Sequence, residues 1–534
     1  MPGTTRAALW PKMSREHWIW VVVILAAALV LRCLRLGEAP GGFHAFNEGF
    51  YIDLGARMAQ QPAFAWFFHP LDVNNPPLYP VLVSWLYRVG APQVAGARIV
   101  SVLAGTWTVY VTFLLGRLLY GERTGIVAAA VLAVMPGAVL VEHNIQVDPL
   151  FVALLMTSVL LYVLTVRTDS KASALVGGAT LGLSFLAKQP AFMLFPALTV
   201  WETWCTHSLR WFAKGRVWRF VAGFVVVSVP WYLAQVAGNN MGTMFANAAH
   251  IRGESVTVLG SVFWSSWVAS ELSWMLFPLT ALLAVAGLVY AGWKRQPGDK
   301  LVIVLAGTYF GWYMVFHQHP YYLLPLAPVL ALAVGRLSTG LFADRIPWPW
   351  ARVSLVIALV VVMAFASVMM LGGQKWGRWS PMAFDPAPDA GFSAVHLYYN
   401  ADEANFFGPT IGLMSPQVTP TPTTLDDFVA AREYPGVENL LLTEFATTAS
   451  GEIVPVLRPV KETWIRPVLF GYAIGQTVLQ DSQNLRLNNS QYFANVPWSA
   501  EQVGPWWRFG ILSTPVDSGL YLYNKASLVG PTSQ

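Results

Sequence analysis

Charge is what this sequence has least of. Asp, Glu, Lys and Arg make up 11% of 534 residues, against 55% hydrophobic residues and a mean hydropathy of +0.49. A soluble domain carries about 25% charged residues, so an ordinary water-facing surface is excluded and much of the exterior must face lipid. Cysteine is almost as scarce. The only two, Cys33 and Cys205, fall near opposite ends of different apolar segments. That placement excludes a disulfide framework and reads as two inert core thiols. Also missing are a Walker loop, a GxGxxG behind a strand, a GxSxG elbow, a CxxC and an HExxH. Nucleotide-driven transport, elbow-type hydrolysis and a zinc site of standard spacing therefore lack support. No internal repeat or low-complexity tract occurs, and inverted repeats are the usual mark of transporters.

What is present is a succession of apolar runs. Stretches such as 20–31 and 354–371 carry no charge between their ends, and runs of roughly 18 or more apolar residues span membranes as helices. Candidate spans fall at 18–36, 95–119, 124–141, 146–167, 173–187, 190–205, 218–236, 272–293, 301–317, 320–338 and 351–372. The expected fold class is a polytopic α-helical membrane protein of about eleven transmembrane helices with a C-terminal α+β domain outside the membrane. Residues 1–17 form a cytoplasmic N-terminus and 18–372 the membrane domain, with a long first outer loop at 37–93. Residues 373–534, rich in Pro, Asn, Asp and Thr, form the extracytoplasmic domain. Within it, 439–442 and 519–523 read as strands and 425–433 as a helix. In the first loop, 79–89 is amphipathic but too short to cross and reads as lying along the interface. The 24 Trp suit the two membrane–water boundaries.

Arg6, Lys12 and Arg15 precede the first apolar run, and Arg32 and Arg35 interrupt its far end. No small-residue cleavage site follows, so an uncleaved first span is expected rather than a signal peptide. With the N-terminus inside, seventeen Lys and Arg fall in inner loops, among them Arg117, Arg123, Lys171, Lys214, Lys294 and Arg345. Seven fall outside, among them Arg32, Arg98 and Lys188. Basic residues mark the cytoplasmic face. The net charge of +5 is therefore a topology signal and gives no support to nucleic-acid binding.

The polar groups crowd the opposite, outer face. The first loop supplies His44, Asn47, Glu48, Tyr51, Asp53, His69, Asp72, Asn74 and Asn75. Glu142, His143 and Asn144 end the third span, Asp148 opens the fourth, Lys188 ends the fifth, and His317 and His319 lie between the ninth and tenth. Loop polar residues have a bland reading as solvated surface. Lys188 reads blandly as a snorkelling lysine, and Asp148 as an N-cap or first-turn carboxylate. Ionisable groups at membrane depth have a functional reading as well. No cofactor is assigned; a divalent cation held by His317 and His319 with Glu48 or Asp148 stays open as an alternative.

Six stretches in this order resemble the C-type membrane glycosyltransferases. They are Phe-Asn-Glu-Gly-Phe-Tyr at 46–51, Asn-Asn-Pro-Pro-Leu at 74–78, Ala-Arg-Ile-Val-Ser at 97–101, Val-Asp-Pro at 147–149, Leu-Ala-Lys-Gln at 186–189 and Pro-Tyr-Tyr-Leu-Leu-Pro at 320–325. The branch they look most like holds the protein O-mannosyltransferases and the lipid A aminoarabinose transferases. The resemblance implies an inverting transfer of a sugar from a polyprenyl-phosphate donor to a lipid, glycan or protein acceptor on the outer face. It also implies membrane lipids as surroundings. Carried over by position, Glu48 and Asp148 match the family's carboxylates. Tyr51, Lys188 and Tyr322 match donor-binding groups, with His319 beside them, and Asn74 and Asn75 stand at the substrate. Asn47 occupies the usual catalytic Asp position, and an amide cannot accept a proton from a hydroxyl. The alternative reading is a catalytically inactive subunit that binds or scaffolds within a membrane complex.

The basic asymmetry predicts an N-terminus inside and residues 373–534 outside. Single cysteines introduced at Ser482 and Thr5, in a chain with both native cysteines replaced, should differ in intact cells. Position 482 should react with an impermeant thiol reagent and position 5 should not; the reverse pattern would overturn the topology.

Overall fold

The computed structural model describes residues 13–37, 45–68, 70–71, 75–244, 275–316 and 320–375, and beyond them seven β-strands. The helices are α1 (Arg15–Cys33), α2 (Ala45–Gln60), α3 (Leu78–Arg88), α4 (Gln93–Tyr120), α5 (Glu122–Ala133), α6 (Pro136–His143) and α7 (Val147–Thr168). They continue with α8 (Lys171–Ala187), α9 (Leu194–Thr206), α10 (Gly215–Ala237), α11 (Pro278–Lys294), α12 (Pro297–Val315), α13 (Leu326–Thr339) and α14 (Pro349–Lys375).

Each of the eleven segments expected to span contains a helix among the described residues, but eleven spans are not established. Among the described residues six helices are long and apolar enough to cross a membrane, or seven if α5 and α6 count as one bent span. The segment expected at 190–205 divides into a 3-10 turn, Gln189–Met193, and α9, and the one at 320–338 likewise divides into Pro320–Leu323 and α13. Pro190 stands at the start of the first turn and Pro325 between the second turn and α13, where a missing N–H and a fixed φ disfavour one continuous helix. The protein is a multi-pass membrane protein by these spans. The short amphipathic piece is α3, which buries Tyr79, Val81 and Val83 and leaves Trp85 exposed.

The chain divides into two compact units, one of residues 1–36 and 54–369, the other of residues 37–53 and 370–534. In the first, exposure separates lipid-facing from interior helices. Helix α14 presents Val353, Leu355, Ile357, Val361 and Phe365 outward, whereas α7 buries Phe151, Val152, Leu155, Met156 and Val159. Contact between α8 and α10 is made by small residues: a Cβ on Gly178 would lie 1.8 Å from Phe220 O, and one on Gly223 2.2 Å from Leu175 O. Backbones that close gain dispersion energy without help from water.

The bend between α5 and α6 measures 62° and leaves carbonyls that no helix satisfies. Arg32 donates to Ala133 O at 2.9 Å and Ser367 Oγ to Val134 O at 2.8 Å. The same Arg32 pairs through Nε with Glu142 at 2.7 Å, with exposures of 0% and 1%. Helices α1 and α14 thus repair the break from both sides. At other points the buried pairs Arg216–Glu202 and Arg336–Asp299 tie neighbouring helices at 2.8 and 3.0 Å.

In the second unit, β1 (Ala394–Asn400) lies parallel to both β2 (Val418–Thr423) and β3 (Val437–Thr447). Strand β3 also pairs antiparallel with β4 (Ile453–Val456) and β7 (Tyr521–Asn524), making a mixed five-stranded sheet. A separate hairpin joins β5 (Thr463–Val468) to β6 (Gly471–Gln476). The strands expected at 439–442 and 519–523 fall on β3 and β7; the helix expected at 425–433 lies outside the described residues.

Removing one partner of a buried pair leaves the other charge uncompensated, at a cost of about 3 kcal/mol or more. Arg32→Met should therefore lower the thermal midpoint of the detergent-purified protein sharply. The double variant Arg32→Met, Glu142→Leu should recover much of the loss, though not the part due to the bare Ala133 carbonyl. A neutral single variant would show that the pair does not hold the bend.

Candidate active site

The site is built on Ser101, in the middle of α4. Its hydroxyl donates to Gln146 O at 2.9 Å and accepts from Gln146 N–H at 3.2 Å. The Tyr79 hydroxyl lies 2.9 Å from Ser101 Oγ and 3.1 Å from Ala97 O. All three residues are buried, and Gln146 is the extended N-cap of α7. Two side chains from α3 and α4 therefore set where α7 begins, and Asp148 is the second residue of that helix. Its carboxylate is a first-turn group, favoured by the N-terminal end of the helix dipole; the N-cap position expected as an alternative belongs to Gln146.

Lys188 arrives from the other side. Helix α8 ends at Ala187, and Lys188 takes an extended conformation while its N–H still bonds Ser184 O at 2.8 Å. Pro190, two residues on, favours that departure from helix. Ser184 Oγ donates to Phe151 O at 2.9 Å, so the end of α8 is bound to the start of α7. The consequence is an ion pair, Lys188 Nζ to Asp148 Oδ1 at 2.6 Å, with side-chain exposures of 17% and 2%. The ammonium also sits 4.2 Å from the ring centre of Tyr322 and 5.3 Å from that of Tyr321, within cation–π range. Both tyrosines belong to the 3-10 turn Pro320–Leu323 that precedes α13.

These groups line a cavity of about 540 Å³. Its walls are mostly aromatic and aliphatic, with Phe185, Phe192, Phe224, Tyr232, Trp312 and Phe316, and Asn75 and Pro76 also line it. Two buried polar atoms on it lack a partner among the described residues, Asp148 Oδ2 and the Tyr232 hydroxyl. A cation beside a large apolar cavity suits an amphiphile with an anionic head. The aromatic walls can bury a hydrocarbon chain, and Lys188 and the dipoles near it can hold a phosphate.

Of the residues singled out in the sequence, Asp148, Lys188, Tyr322 and Asn75 meet at this one cavity. Glu48 and Tyr51 are buried on the first half of α2, in the second unit. Asn47 is in the first turn of α2, and Asn74, His317 and His319 lie outside the described residues. Among the described residues no group of three His, Cys, Asp or Glu side chains is placed to hold a metal. Sequence reasoning missed the anchoring role of Ser101, Tyr79 and Gln146, although all three sit in or beside motifs it had marked. It missed Tyr232 and Trp312 altogether, because an aromatic residue in an apolar helix carries no signal of which way it faces.

Residues 74–233 match the family described as dolichyl-phosphate-mannose-protein mannosyltransferase. No curated protein matches the chain by sequence. Among solved structures, ArnT from Cupriavidus metallidurans in the apo state superposes with a TM-score of 0.56 at 17% identity, covering 80% of this chain and 93% of that one. The same protein bound to undecaprenyl phosphate gives 0.56 at 16% identity, covering 81% and 94%. The oligosaccharyltransferase of Archaeoglobus fulgidus gives 0.48 at 12% identity, covering 82% and 73%. The chain is a multi-pass membrane protein that shares the fold of ArnT, and its residues 74–233, which include Asp148 and Lys188, match the mannosyltransferase family.

Proposed function

We propose that this protein transfers a sugar from a polyprenyl-phosphate carrier to a lipid, glycan or protein acceptor on the outer face of the cell membrane. The observation that carries the reading is Lys188, an ammonium held by Asp148 and Tyr322 beside a 540 Å³ apolar cavity. A carrier lipid needs that combination of a greasy wall and a cation. The ArnT relative bound to undecaprenyl phosphate is a protein of the same fold with a ligand of this class.

The leaving group is already a phosphate, so expelling it calls for cations and hydrogen-bond donors rather than a general acid. Lys188 and Tyr322 take the phosphate; the family resemblance adds His319 and Tyr51 as donor-binding residues and Asn74 and Asn75 as substrate-binding ones. The acceptor oxygen attacks the anomeric carbon from the face opposite the phosphate. The anomeric carbon–oxygen bond breaks, its electron pair passes to the phosphate, and the configuration inverts through an oxocarbenium-like state. The resemblance assigns the acceptor proton to a carboxylate, Glu48 or Asp148, and Asp148 also acts through Lys188. Asn47 holds a sugar hydroxyl and moves no proton.

Lys188→Ala removes a charge-assisted contact and should weaken binding of a polyprenyl-phosphate lipid by about 2–4 kcal/mol. Lys188→Arg should rescue only part, because a planar guanidinium presents its charge differently from a compact ammonium. Equal binding by wild type and Lys188→Ala would remove Lys188 from the site.

A specific feature favours the second reading, a non-catalytic subunit: neutral amides stand at 47, 74 and 75. Complementation of a deletion strain, scored on its glycolipid and glycoprotein profile, separates the two. For an enzyme, Glu48→Gln should lower turnover by about 100-fold or more, and Asn47→Asp should be tolerated. Full complementation by the double variant Glu48→Gln, Asp148→Asn would leave the scaffold reading.

A further inference from the structure

The Lys188 ammonium is not a bare cation. Asp148 Oδ1 lies 2.6 Å from it, Asp148 is 1% exposed, and its Oδ2 is buried with no partner among the described residues. Locally the pair sums to zero charge. A phosphate oxygen held at a charge-assisted distance of about 2.8 Å from Nζ cannot lie farther than about 5.4 Å from Oδ1, the sum of those two separations. Any phosphate on Lys188 therefore also sits beside an unscreened carboxylate.

That geometry treats donor and spent carrier differently. While the sugar is attached, the phosphate is a diester with one negative charge. When the acceptor oxygen bonds to the anomeric carbon, the carbon–oxygen bond to phosphate breaks and its electron pair stays on the phosphate. The acceptor proton goes to a carboxylate base. The carrier becomes a monoester, whose second ionisation lies near pH 6, so above neutral pH it carries two charges. Beside a lone lysine the second charge would tighten binding and trap the product. Beside the Lys188–Asp148 pair, much of the attraction to Lys188 is offset by repulsion from Asp148, and the second charge must still be desolvated.

We propose that Asp148 makes the Lys188 site selective for a singly charged phosphodiester over a doubly charged phosphomonoester, so that the spent carrier is expelled after each transfer. Asp148 is then a specificity and positioning residue. The inference rests on the carrier-phosphate reading of the cavity.

The test needs no knowledge of the sugar. Undecaprenyl phosphate and its methyl diester are titrated at pH 8 against the full-length protein in nanodiscs of zwitterionic lipid. Wild type should bind the methyl diester about 10-fold more tightly than the monoester. Asp148→Asn keeps the shape and an oxygen facing Lys188. It should tighten monoester binding by on the order of 10-fold and diester binding much less, bringing the ratio toward one. Wild type binding both lipids equally, or an Asp148→Asn variant with the wild-type ratio, would overturn the inference and leave the carrier site standing. The wild-type ratio needs no substitution, so misfolding of the variant does not shield the idea. Wild type binding neither lipid would remove the carrier reading and this inference with it.

Discussion

A helix that breaks inside an apolar bundle exposes carbonyl and amide groups that water cannot reach, and each must find a partner within the protein. That constraint organises the polar side chains here. The bend between α5 and α6 is closed by Arg32 on Ala133 O and Ser367 on Val134 O. The gap between α6 and α7 is closed by Ser101, which bonds both the carbonyl and the amide of Gln146. Each repair also fixes something else in place. Arg32 captures Glu142 at the end of α6, and the Ser101 anchor settles where Asp148 stands at the start of α7.

The two buried ion pairs near these breaks differ in how completely their atoms are satisfied. Arg32 is wholly buried, bonds Glu142 and also bonds two backbone carbonyls, those of Ala28 and Ala133. It reads as a structural tie, with its charge neutralised and its donors in use. Lys188 is 17% exposed, borders a large cavity and shares its carboxylate partner with nothing else among the described residues, so Asp148 Oδ2 is left without a bond. An incompletely satisfied buried pair is costly, and such a cost is retained where a ligand or a reaction uses it. The difference between a tie and a site lies in those remaining atoms.

Several elements were legible from residue order alone. The long apolar runs gave helices among the described residues, because an apolar run in lipid has no other way to satisfy its backbone. Lys188 stood out because a lysine between two apolar segments must have a partner or reach the surface. Glu142 was marked as one of a polar trio on the outer face, but its partner is the arginine at the end of the first span, 110 residues away. Nothing in local pattern connects them. Ser101 stood in a marked stretch, but its anchoring role was not legible, since its acceptor belongs to a chain segment 45 residues later.

The sequence by itself determined the membrane class, the helical segments and the crowding of polar groups toward one end of the spans, since hydropathy and charge placement act locally and add along the chain. Only the tertiary structure decided which of those polar groups meet. Asp148 and Lys188 come together because α7 and α8 pack side by side and both end at that level, and Tyr322 joins them from a turn more than 130 residues farther on. Ion pairing and cavity shape depend on distances of a few ångströms between helix ends, and those distances follow from packing that residue order does not record.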